Sequence, residues 1–137
     1  MRAVILCACG LLVGTVAAPA GAQERCTQTP SARTCISEAG PVRIRTIAEL
    51  PGGDITEAEV FVPAKYADSP GFARAAGGVV LRLVPFSTVN ERTELFARLM
   101  KARQHASAPW VRFDRYDWRA VEHDGVVRVE AMRMERP

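Results

Sequence analysis

The chain has little of what acid–base or metal chemistry ordinarily draws on. It holds two histidines, His105 and His123, and they do not stand in a ligand spacing such as two histidines four apart on a helix. There is no Gly-x-Ser-x-Gly turn, and Gly77-Gly78 is too short a run to cradle a phosphate, reading instead as a helix stop. Asp114 and Asp117 are three apart, which puts them on opposite faces of a strand rather than together. No catalytic constellation, cofactor or metal centre is therefore expected. Lysine occurs only at Lys65 and Lys101, and arginine supplies the rest of the positive charge. The formal net charge is only +3, and acidic and basic side chains alternate along the chain. Without a basic block to follow a phosphate backbone, nucleic acid is not an expected partner.

What is present begins with an address. Met1-Arg2 carries one positive charge, Ala3 to Ala18 is apolar or small, and Ala20-Gly21-Ala22 matches a small-x-small cleavage site. That order predicts a secretory signal peptide over residues 1–22, with the mature chain starting at Gln23 and working in a periplasm or outside the cell. Leu6-Cys7-Ala8-Cys9 resembles a lipobox and gives a minor alternative, a lipoprotein acylated at Cys9. The mature part would hold 115 residues, enough for one modest core, and no integral membrane segment. Cys26 and Cys35 are its only cysteines, and in an oxidising compartment they predict a disulfide. A redox or metal pair is disfavoured, because redox motifs usually separate their cysteines by two residues and no histidine stands close by.

Residues 23–41 are polar and read as an irregular, disulfide-bridged arm, and 42–137 as a single domain. Val42, Ile44 and Thr46 alternate with Arg43 and Arg45 as a first strand, Pro51-Gly52-Gly53-Asp54 is a turn, and Val60 to Val62 is a second strand. Ser69-Pro70 opens a short helix that Gly77-Gly78 closes, and Val79 to Val84 reads as a buried third strand. Thr88 and Glu91 form a capping box before the main helix, about Val89 to His105, whose Leu95, Phe96, Leu99 and Met100 recur at helical spacing. His105 would then sit where a helix C-terminus favours a cation. Trp110 to Val121 and Val126 to Met134 are two strands joined at Asp124-Gly125, a tight-hairpin signal. Within the first of these, Val111 and Phe113 share one face while Tyr116 and Trp118 share the other, which predicts a bulge or a strongly bent strand. The predicted class is α+β, mostly β: a small five-stranded antiparallel OB-like barrel with one main helix between strands 3 and 4. A helix lying across an antiparallel sheet fits almost as well.

The candidate site is an aromatic strand. Trp110, Tyr116 and Trp118 are three of nine aromatic residues and lie among arginines. Tyr116 and Trp118 present flat faces suited to a sugar ring or a protein partner, and Arg115 and Arg119 can clamp a carboxylate such as that of an acidic sugar. Trp110 and Phe113 are expected in the core. From Val79 to Glu135 the chain resembles the OB-fold binding subunits of secreted bacterial toxins of the pertussis type. The resemblance is carried by the helix Glu91 to Met100, the Ser107-Ala108-Pro109 link into Trp110 to Phe113, and the last strand Val127 to Glu135. It implies an exported domain that assembles into rings and binds host glycans, without assigning site residues. The expectation is an exported, non-catalytic binding module for a glycan or a protein. The alternative is a structural or accessory envelope protein acting through a protein partner.

Overall fold

The computed structural model describes residues 23–103 and 108–135. The expected leader, with Cys9, and His105 lie outside them. Seven strands form one antiparallel sheet: β1 (Gln23–Gln28), β2 (Ala32–Ala39), β3 (Val42–Glu49), β4 (Ile55–Pro63), β5 (Val111–Phe113), β6 (Tyr116–His123) and β7 (Val126–Arg133). Their order across the sheet is β1-β2-β3-β4-β7-β6-β5. Between β4 and β5 run a 3-10 turn (Ala64–Tyr66) and two helices, α1 (Pro70–Leu83) and α2 (Val89–Ala102). The five-stranded barrel is thus replaced by an open sheet of seven strands with two helices.

Both helices cover the same face. Phe72, Val79, Val80 and Leu83 of α1 and Leu95, Leu99 and Met100 of α2 pack with inward residues of the sheet, among them Val60, Val62, Trp118, Val127 and Val129. Phe72 and Phe96 meet edge to face at 5.7 Å and join the two helices. The core is one two-layer interior, helices on sheet.

Three local departures explain the changed fold. The first is Val79 to Val84, expected as a strand, which continues α1 as far as Leu83. Phe72, Ala76, Val79, Val80 and Leu83 form one buried stripe at helical spacing. Burying that stripe outweighs the roughly 1 kcal/mol that each of Gly77 and Gly78 costs inside a helix. Ser69 caps the start as expected, its hydroxyl accepting from the Phe72 amide at 3.2 Å. The second is the strand expected over Trp110 to Val121, which is two strands. A two-residue turn, Asp114-Arg115, pairs Phe113 with Tyr116, and Asp114 takes a φ of 57°. The change of phase in the sequence is this turn, not a bulge. The third is the arm before Pro41, expected to be irregular, which is the hairpin β1–β2 and adds two strands to the sheet.

Other signals hold. Thr88 and Glu91 make the reciprocal capping box, with Thr88 N–H donating to Glu91 Oε2 at 2.6 Å and Glu91 N–H to Thr88 Oγ1 at 3.2 Å. Asp124 and Gly125 (φ 49° and 74°) form the two-residue turn that pairs His123 with Val126. Cys26 and Cys35 face each other across β1 and β2 and are joined by a disulfide. Among the described residues no helix is long and apolar enough to cross a membrane.

Candidate functional site

Strand β6 alternates between the two faces of the sheet, and the β5–β6 turn decides which residues go inside. Tyr116 and Trp118, expected on a ligand-facing surface, point inward and are 5% and 1% exposed. Trp110, expected in the core, is 41% exposed. Tyr116 and Trp118 contact each other edge on at 6.2 Å. The Tyr116 hydroxyl donates to the Ile55 carbonyl at 2.7 Å, and the Trp118 indole N–H to the Phe113 carbonyl at 3.4 Å. Burial raises the Tyr116 pKa above 10.0, while Arg115 and Arg133 act in the opposite direction. Both rings pack in the core, and Tyr116 also reaches the floor of a cleft on the helix side of the sheet.

The two arginines part company as well. Arg119 projects from the sheet face that carries no helices, with its guanidinium 4.3 Å from the Trp110 ring centre. Across β3, β4, β7 and β6 one row of that face reads Arg45, Glu59, Glu130, Arg119 in register. Glu59 and Glu130 therefore stand directly opposite, an unfavourable like-charge pair. Three arginines compensate them. Arg45 pairs with Glu59, Arg119 Nε lies 2.6 Å from Glu130 Oε2, and Arg128 Nε lies 2.6 Å from Glu130 Oε1 and 4.0 Å from Glu59 Oε1. The Arg128 contact is an ion pair without hydrogen-bond alignment. Every carboxylate in this lattice is already matched, so it reads as a self-neutralised sheet surface.

Arg115 instead borders a cleft of about 520 Å³ on the helix side of the sheet. Its floor holds Thr46 and Ala48 of β3, Ile55 of β4 and Tyr116, with Leu83 and Pro85 on the helical side. Three arginines line it from three separate elements: Arg33 on β2, Arg82 in the last turn of α1, and Arg115 in the β5–β6 turn. Among the described residues Arg33 and Arg82 have no carboxylate within 4.0 Å, and Arg115 has only exposed Asp114, 3.5 Å away. The acidic lining residues are Glu24 and Asp54, and Asp54 is shared with Arg133 at 3.6 Å. Guanidinium groups placed this way offer several planar donors to a carboxylate, sulfate or phosphate. A second concavity, about 490 Å³ beside Pro41 and Phe61, has one arginine, Arg43, already held by Glu38 with Nε to Oε1 at 3.0 Å.

Arg33 and Arg82 escaped the sequence argument because each sat in a misassigned segment. Arg33 belonged to the arm, and Arg82 was the one polar residue of an apparent buried strand. The helical spacing of Phe72, Ala76, Val79, Val80 and Leu83 was the signal that would have put Arg82 on the wet side of a helix. Comparison with family models, with curated proteins and with solved structures finds no match for the chain.

Proposed function

We propose that the protein is an exported, non-catalytic binding module that takes an anionic ligand, an acidic glycan in the first instance, in the cleft between the β1–β2 hairpin and the end of α1. The observation that carries this is the convergence of Arg33, Arg82 and Arg115 on one concave surface, where among the described residues Arg33 and Arg82 have no carboxylate within 4.0 Å and Arg115 has only exposed Asp114. The apolar patches between them (Ala48, Ile55, Leu83, Pro85) suit the non-polar face of a sugar ring. Export rests on the leader-like residues 1–22.

Isothermal titration with sialic acid and with galacturonate oligomers tests the binding, with the neutral galactose oligomer as control. Acidic oligomers are expected to bind in a salt-dependent manner, and Arg82→Gln together with Arg115→Gln to weaken binding at least roughly tenfold. Both side chains are exposed, so the fold is unaffected. Equal affinity for acidic and neutral oligomers, or no effect of the double variant, refutes the proposal. A second reading, an envelope accessory protein docking on a protein partner, is favoured by the sheet face that carries no second layer, where Trp110 and Met132 stay exposed. Retention of a cross-linked partner after loss of the three arginines would support it.

A further inference from the structure

We propose that, once its disulfide is reduced, the β1–β2 hairpin is a binding site for a borderline-soft divalent cation such as Zn²⁺, with Cys26, Cys35 and Glu24 as ligands. The site borders the anion cleft and shares Glu24, Arg33 and Cys35 with its lining, but metal binding does not require anion binding. The spacing of the two cysteines in sequence conceals the site, and the strand register creates it. Cys26 and Cys35 are directly opposite, and Glu24, two residues before Cys26, shares their face. The two sulfurs and a Glu24 carboxylate oxygen all lie within 4.8 Å of one another. A tetrahedral zinc with Zn–S of about 2.3 Å and Zn–O of about 2.0–2.2 Å needs neighbouring ligand atoms roughly 3.4–3.8 Å apart. With the β1–β2 register keeping the two cysteines opposite, side-chain rotation brings the separated thiolates and the carboxylate to that geometry, and the metal replaces the bridge as the link between the strands.

Charge favours the same outcome. Glu24 has no cationic partner within 4.0 Å among the described residues, although Arg25 follows it in the chain on the other face. Arg33 places Nη2 3.7 Å from Cys26 Sγ and so stabilises the thiolate. Two thiolates, one carboxylate, one divalent ion and Arg33 sum to zero. β1, with Glu24 and Cys26, is exposed along its length and Cys35 is half-buried beside it, so a small reductant and a hydrated ion can reach the pair from the β1 side.

The chemistry takes two steps. A dithiol reductant gives two electrons and two protons to the Cys26–Cys35 bond, which breaks to two thiols as the reductant closes to its own disulfide. The metal ion then displaces both thiol protons, forming two metal–sulfur bonds and one bond to Glu24, with a water completing the tetrahedron. Bridge and metal are alternative occupants of the same cysteine pair.

The test titrates Co²⁺ into the purified protein after anaerobic reduction with a dithiol and removal of the reductant, with oxidised protein alongside. The reduced protein is expected to bind one Co²⁺ per chain with sulfur-to-cobalt charge-transfer and tetrahedral ligand-field bands, and Zn²⁺ to displace it. The oxidised protein is expected to show neither band. Glu24→Gln, which leaves the cysteines in place, is expected to weaken Co²⁺ at least roughly tenfold and to alter the ligand-field bands. Absence of the bands in reduced protein, one ion per two chains, or a Glu24→Gln titration identical to wild type overturns the proposal. Circular dichroism of reduced wild type and of reduced Glu24→Gln establishes that both keep the sheet during the titration.

Discussion

Truncating each tryptophan in turn separates the core from the surface, because the structure and the plain sequence pattern assign them opposite places. Trp118 is 1% exposed, lies edge on to Tyr116, and pairs with Val111 and Ala131 on the neighbouring strands. Removing a fully buried aromatic ring costs about 3–5 kcal/mol in lost transfer energy and residual cavity. A domain of this size has only about 5–15 kcal/mol in all, so Trp118→Ala removes about a fifth of it or more. The Tm should fall by roughly 10–20 °C. Trp110→Ala loses a half-exposed ring and its contact with Arg119, worth about 0.5–1 kcal/mol. Urea unfolding followed by far-UV circular dichroism measures both, free of the change in fluorophore. Each variant also leaves one reporter. With Trp110 gone, emission should be blue-shifted and protected from acrylamide; with Trp118 gone, red-shifted and quenchable. Equal losses of stability, or a larger one for Trp110→Ala, would refute the inward orientation of β6 and the turn at Asp114-Arg115 that sets it.

Tyr116→Phe deletes the donor to the Ile55 carbonyl and should cost about 1–2 kcal/mol at neutral pH, read by urea unfolding. Since burial raises the folded pKa of Tyr116 above 10.0, the folded chain keeps a proton that the unfolded chain releases. Its contribution is complete below pH 10.0 and is lost as pH climbs through the folded value, so the variant should show a shallower alkaline decline. Gly77→Ala and Gly78→Ala should each raise stability by about 0.5–1 kcal/mol, because a Cβ at either position meets nothing within 4 Å inside a helix. A loss in both would mean that the backbone there is not regular helix. Thr88→Ala breaks the capping box and should cost about 1 kcal/mol by thermal unfolding, with Glu91→Gln largely preserving it.

Short-range chemistry was legible in the sequence wherever one residue had one task. The Ser69 and Thr88 caps, the Asp124-Gly125 turn and the Cys26–Cys35 bridge were each read from local side-chain chemistry, and each is found. Failure came where a local sign competed with a longer pattern. Gly77-Gly78 is a strong stop signal over four residues and a weak one against an apolar stripe running from Phe72 to Leu83. Asp114-Arg115 carries no glycine or proline, so a two-residue turn built on one aspartate at φ 57° passed for a continuous strand. That single omission put Tyr116 and Trp118 on the wrong face. Of the residues named for a ligand, Arg115 and Tyr116 line the cleft, Trp118 is in the core, and Arg119 belongs to the opposite surface.

The cleft and the disulfide share one geometric cause. Seven strands at about 4.8 Å spacing make a sheet roughly 29 Å across, counted between the outer strand axes. Two helices side by side, about 8–10 Å apart and 10–12 Å in diameter, cover only about 20 Å of it. They sit over β3, β4 and β6, where Val60, Val62 and Trp118 give them an apolar bed. The uncovered remainder falls at β1 and β2, whose inward face is Glu24, Cys26, Gln28, Arg33, Cys35 and Ser37 and could not be buried without stranding charge. A hairpin that gains no core contact is marginal by itself, and a covalent link between opposite residues restores what burial cannot provide. The step from the end of α1 down to that uncovered ribbon is the wall of the cleft, with Arg82 above and Arg33 below. Lengthening the apolar cover would therefore erase the binding surface, and removing the bridge would loosen one side of it while leaving the core intact. Hydrogen exchange of the reduced protein should show this as faster exchange in β1 and β2 with β4, β6 and β7 still protected.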